Sequence, residues 1–135
     1  MKSEPLSTPH ILLVDDNEDY LLLVKEALTT NGYTVHTASD GVEGCEILAK
    51  TDIDLIISDI RMPRLDGLKL HAFAREMDKY NDTKFIFISG LRDVYSDALT
   101  LDAEKDFFLD KTAALTDIIK FVDTLIFGKY EGEWI

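Results

Sequence analysis

Five short apolar runs punctuate the chain: HILLVD at 10–15, YTVHTA at 33–38, DLIISD at 54–59, KFIFIS at 84–89 and DFFLD at 106–110. Longer stretches with helical patterning fill the gaps between them. Strand and helix alternating in this way predicts βαβ units and a parallel sheet. The first, third and fourth runs are nearly continuous Ile, Leu, Val and Phe, as strands buried on both faces require. The second mixes Thr34, His36 and Thr37 among its apolar positions, and the fifth is short and flanked by charge. Those two read as edge strands. Central strands 1, 3 and 4 with 2 and 5 outside predict the order 2-1-3-4-5. The fold class is therefore a doubly wound, flavodoxin-like α/β sheet with helices on both faces.

The helical stretches carry matching punctuation. Asn31-Gly32 can end the first helix, with Gly32 supplying a left-handed cap, and Asp40-Gly41 precedes the second. The last shows Leu115, Ile118, Ile119, Val122, Leu125 and Ile126 at helical spacing. Phe121 and Phe127 fall beside or outside that stripe, as core margin or as a contact face. Pro5 and Pro9 mark residues 1–9 as a flexible arm. Residues 10–127 read as one domain and 128–135 as a short tail. Tyr130, Trp134 and Ile135 in that tail can pack down or touch a partner.

Bulk properties narrow the function. A chain of 135 residues, 46% hydrophobic, fits one domain with a real core. The net charge of −12 argues against direct nucleic-acid binding, which needs Lys and Arg on phosphates. The single cysteine, Cys45, excludes an internal disulfide and suits a reducing, cytoplasmic setting; among Val42, Ile47 and Leu48 it is expected to be a buried core thiol. No apolar run suggests a secretory signal or a membrane span. His10, His36 and His71 are scattered over strand 1, strand 2 and the third helix without metal-ligand spacing.

The chemistry-bearing residues collect at strand ends. In an open parallel sheet, ligands bind beyond the carboxyl ends of strands at the switch in strand order, here between strands 1 and 3. Strand 1 ends in Asp15-Asp16, strand 3 in Asp59, strand 4 in Ser89 and strand 5 at Lys111. Three converging carboxylates repel one another, and a hard divalent cation such as magnesium removes that cost. A carboxylate is also a competent covalent nucleophile, and phosphoryl transfer needs mainly positioning and charge neutralisation. Singly, each residue has a plain explanation: a helix cap for Asp15 or Asp16, a turn for Asp59, loop residues at Ser89-Gly90, a solvated Lys111. Jointly, five residues on one rim point to a site.

Those residues resemble a known family. Asp15-Asp16 after an ILLV strand, DIRMPRLDG at 59–67, Ser89 and Lys111 together resemble the motifs of response-regulator receiver domains, over about residues 10–127. The resemblance implies that Asp59 is the phospho-acceptor. It implies that Asp16, Asp59 and the backbone carbonyl of Arg61 bind magnesium, with Asp15 assisting, often through water. Ser89 and Lys111 would hold phosphoryl oxygens, and Phe108 would be the switch aromatic. Phosphorylation would then shift the surface made by the helix after strand 4, by strand 5 and by the last helix. Four positions depart from or tune the pattern. Thr112 stands where the family usually has Pro after the lysine, often following a cis bond. Phe108 lacks the hydroxyl of the Tyr often found there. Leu91 and Arg61 occupy positions that influence phosphoryl lifetime, and bulky Leu91 is expected to hinder attacking water.

The implied function is a phospho-accepting receiver rather than an enzyme in its own right, assisting its own phosphorylation and dephosphorylation. Its donor would be a histidine kinase or histidine phosphotransfer protein, and its output a protein partner, with a homodimer possible on phosphorylation. Two rivals stand beside it. One is a phosphatase with an aspartyl nucleophile, which would carry D-x-D after strand 1; here the sequence is VDDNE at 14–18. The other is a module that binds partners without phosphorylation, against which the full set of site residues argues. The Met1 start and the lack of an obvious tag favour a stand-alone protein over a piece of a larger regulator or hybrid kinase.

Overall fold

Strand 1, strand 3 and strand 4 are buried almost end to end, and this burial organises the rest of the chain. The structure is a computed structural model and describes residues 8–90 and 102–128. In order the elements are β1 (His10–Val14), α1 (Glu18–Thr30), β2 (Thr34–Ala38), α2 (Gly41–Lys50), β3 (Leu55–Asp59), α3 (Gly67–Glu76), a 3-10 turn (Asp78–Tyr80), β4 (Lys84–Ser89), β5 (Asp106–Asp110) and α4 (Leu115–Phe127). All four strand pairings are parallel and the order is β2-β1-β3-β4-β5, as the patterning requires. The edge strands β2 and β5 are only half-buried over most of their length.

Alternation along the strands sends side chains into two cores. Ile11, Leu13, Leu55, Ile57, Ile86 and Ile88 meet Leu21, Val24 and Leu28 of α1 and Ile118 and Val122 of α4. Leu12, Val14, Ile56, Phe85 and Phe87 meet Leu48 of α2 and Leu70 and Ala74 of α3. Each fully buried Val, Leu, Ile or Phe side chain among them stabilises the fold by roughly 1.5–3 kcal/mol.

Helix starts are fixed by side-chain acceptors. Asn17 accepts the Tyr20 N–H at the start of α1, Asp40 the Glu43 N–H at α2, and Asp66 the Lys69 N–H at α3. The capping role open to Asp15 or Asp16 thus falls to Asn17, while Asp15 accepts the Asn17 N–H at 2.9 Å. Gly32 ends α1 with φ +97°, the left-handed value its lack of Cβ permits.

The structure corrects one expectation and settles or leaves aside others. Cys45 is half-buried at the margin of the second core, not within it. His10, His36 and His71 lie on β1, β2 and α3 as expected, and the rings of the first two stack and share a hydrogen bond of 2.9 Å between Nδ1 and Nε2. Phe121 and Phe127 divide, the first packing edge-on against Phe107, the second 60% exposed. No cis peptide bond occurs among the described residues, so Lys111-Thr112 is trans. Leu91, the helix expected after β4, most of the arm, and Tyr130, Trp134 and Ile135 lie outside the described residues.

Candidate functional site

The ends of β1, β3, β4 and β5 bring the expected residues to one rim. Asp15 and Asp59 are buried and Asp16 is exposed, and one carboxylate oxygen from each lies within 4.8 Å of the others. Lys111, just past β5, lays its Nζ between two of them. It is 2.8 Å from Asp15 Oδ2 and 3.2 Å from Asp59 Oδ2. Ser89 is buried at the end of β4, in register with Asp110. Arg61 is exposed, and with Asp16, Ile60, Met62, Pro63 and Asp66 it lines an open depression of about 410 Å³. Phe108 is half-buried with its ring 5.4 Å from that of Phe87.

The loop after Asp59 is held tightly. Gly67 donates its N–H to the Ile60 carbonyl at 2.9 Å. A Cβ at Gly67 would stand 2.2 Å from the Asp59 carbonyl oxygen, so no side chain fits there. Arg64, at φ +67°, is the only non-glycine residue with positive φ among those described. It is held by two contacts of 2.7 Å to Asp40, from Nε and from its terminal nitrogen. The loop after β5 is held by Asp110, whose Oδ1 accepts from both the N–H and the hydroxyl of Thr112. Where proline would offer no N–H, Thr112 uses its own to shape the turn behind Lys111.

The residues match a hard cation by their chemistry. Three carboxylates converge, Asp16 is open to solvent, and the depression lies beside it, as magnesium with several retained waters needs.

The response regulator receiver domain family matches residues 11–123. The chain belongs to that family. Among its relatives, response regulator MprA of Mycobacterium ulcerans is 36% identical over 117 residues, covering 86% of this chain and 49% of that protein. Sensor kinase CckA of Brucella abortus is 38% identical over 120 residues, covering 86% of this chain and 12% of that protein. The solved receiver domain of a Pseudomonas aeruginosa sensor histidine kinase superposes with a TM-score of 0.80 at 22% identity, covering 89% of this chain and 98% of that one. The chain spans about half the length of the MprA and other response-regulator relatives it matches. Receiver domains are the phosphoryl-accepting modules of two-component signalling, supplied by histidine kinases.

Charge in this receiver's site is finely opposed. Burial, and then the neighbouring Asp15 charge, raise the Asp59 pKa despite the hydrogen bond from Lys111. Burial alone would lower the Lys111 pKa, but its hydrogen bond to Asp15 and the charges of Asp15 and Asp59 outweigh this and raise it. The ammonium therefore stays charged and partly offsets the crowded carboxylates.

Sequence reasoning missed three features of the receiver. Tyr20 faces Lys111, with the Nζ 5.0 Å from the ring centroid; its position four residues after Asp16, one helical turn on, was the available signal. The Arg64–Asp40 pair joins positions 24 apart and left no local trace. Buried Asp106 accepts from His71 Nε2 at 2.9 Å and Arg75 at 2.6 Å, tying β5 to α3. No helix among the described residues is long and apolar enough to cross a membrane.

Proposed function

We propose that Asp59 is the phospho-acceptor of this receiver and that Lys111, Ser89, Asp15, Asp16 and the Arg61 carbonyl serve the transfer. The observation that carries this reading is the Lys111 ammonium seated between Asp15 and Asp59 beside a third carboxylate. An Asp59 carboxylate oxygen attacks the phosphorus, forming an aspartyl phosphate. The bond from phosphorus to the donor imidazole breaks, and the ring leaves with that electron pair. Lys111 donates to a phosphoryl oxygen as the phosphoryl group passes onto Asp59. The Ser89 hydroxyl donates to another. Asp16, Asp59 and the Arg61 carbonyl would hold a magnesium ion directly, with Asp15 assisting, and when bound the ion supplies charge neutralisation. The Pseudomonas receiver has a magnesium ion coordinated in its active site cleft, which supports this choice of cation.

By assisting its own phosphorylation and dephosphorylation, the domain acts as a timed switch rather than as an enzyme on other substrates. Phe108, resting on Phe87, is the switch aromatic in this reading. A phosphoryl group that binds one of two close-lying states better shifts their populations. Output passes to a protein partner, or to a second copy of the chain, through the helix after β4, β5 and α4. Nucleic acid is not contacted directly, the setting is cytoplasmic, and residues 10–127 form the receiver between an arm (1–9) and a tail (128–135).

The test is intact mass after incubation with acetyl phosphate, with and without magnesium, on wild type and Asp59→Asn. One phosphoryl group is expected on wild type alone, and only with magnesium. No gain under any condition would instead favour a module that works without phosphorylation.

A further inference from the structure

Tyr20 sits beside the phosphoryl-transfer site without belonging to the acidic rim. Its N–H is fixed to Asn17 Oδ1 at 3.0 Å in the first turn of α1, and its ring packs against the first core. The ring presents itself to Lys111, with the Nζ 5.0 Å from the centroid, inside the range over which a cation is attracted to an aromatic ring. The hydroxyl plays no matching part. Its oxygen is buried and finds no hydrogen-bond partner among the described residues. The ring is the part of Tyr20 that the structure sets against Lys111.

Lys111 needs such help. A lysine ammonium is a point charge on a flexible four-carbon stem, and this one is still a quarter exposed. Asp15 and Asp59 hold it while both are bare carboxylates. Once a phosphoryl group esterifies Asp59, that carboxylate no longer offers a full charge. The stem then has to carry the ammonium over to the phosphoryl oxygens without losing it to solvent. A wall beside the ammonium, fixed by a helix cap and a packed ring, limits where it can go.

We infer that the Tyr20 ring is a positioning residue for phosphoryl transfer, holding the Lys111 ammonium over Asp59 by a cation–π contact. The inference rests on the reading of Lys111 as the group that binds phosphoryl oxygens. Tyr20→Leu removes the ring, and Tyr20→Phe keeps it while deleting the unpartnered oxygen.

Two measurements on the full chain test this. The first is the rate of phosphoryl gain from acetyl phosphate with magnesium, followed by intact mass. Tyr20→Leu is expected to be roughly fivefold slower than wild type, as loss of a partly buried cation–π contact implies. Tyr20→Phe is expected to restore the wild-type rate. In a Lys111→Met background, Tyr20→Leu is expected to add nothing. A wild-type rate in Tyr20→Leu, or an equal slowing in the Lys111→Met background, overturns the inference. The second is the NMR shift of the Lys111 ε-methylene protons, expected upfield through the ring current in wild type and Tyr20→Phe. This shift is read in wild type even if Tyr20→Leu fails to fold, and its absence there overturns the contact. An upfield shift in a wild-type protein that gains no phosphoryl group would leave the contact standing and overturn its role in transfer, together with the proposed function.

Discussion

At the residue scale, Asp59 serves two opposed demands. In the proposed reading, burial keeps water from the reacting carboxylate and Asp15 lies close enough to share a cation, yet burial and the Asp15 charge both raise the Asp59 pKa. The folded chain therefore holds the Asp59 proton more tightly than the unfolded chain does. Its cost to stability is absent below the unfolded value of 3.8 and grows as the pH rises through the interval up to the raised folded value. Asp59→Asn is expected to raise the thermal unfolding midpoint by a few degrees at neutral pH in metal-free buffer, and magnesium is expected to narrow that gap. A lower midpoint in the variant would show that Lys111 more than compensates the crowding. The acid pair, Asp59, Ser89 and Lys111 were legible because each ends a strand, and strand ends can be read from apolar runs. Tyr20 was not, since an aromatic in the first turn of a helix reads equally well as core.

At the element scale, the sheet order followed from burial alone. Continuous apolar runs had to be central, and mixed runs had to be edges. Contacts between elements left no such pattern. The link from α3 to β5 joins His71 and Arg75 to Asp106 across 35 and 31 residues, a pairing that only the fold reveals. Burial alone would raise the Asp106 pKa, but the Asp102 N–H, Arg75 and His71 together lower it. Its contribution to stability is thus fully present above the unfolded value of 3.8 and is lost as the pH falls through the depressed folded value. Asp106→Asn leaves the half-buried Arg75 guanidinium without its anion, which costs about 3 kcal/mol. Denaturant unfolding across a pH series is expected to show that loss at neutral pH and convergence of the two proteins in strong acid. A constant difference at every pH would assign the loss to packing. The same network reaches toward Phe108, because the His71 ring also lies 5.2 Å from that of Phe87, which packs against Phe108.

At the scale of the whole molecule, a net charge of −12 gathers at one place among the described residues into a cluster of three carboxylates that could hold a cation. The fold accounts for that concentration. Parallel strands end on one face, the strand order reverses between β1 and β3, and the loop after β3 is pinned where Gly67 closes on the Asp59 backbone. Family membership could be read in the motifs because they are short and local. What the domain signals to could not, since that depends on surface complementarity with a second molecule. The central claim is that Asp59 carries the phosphoryl group. The most direct measurement is borohydride reduction of the acetyl-phosphate-treated protein, which converts an aspartyl phosphate to homoserine, followed by fragmentation of the tryptic peptides spanning residues 3–25 and 51–61. Homoserine at position 59, and not at Asp52 or Asp54, is the expected result. Homoserine at Asp15 or Asp16 instead, or nowhere in a protein that has gained a phosphoryl group, would contradict it.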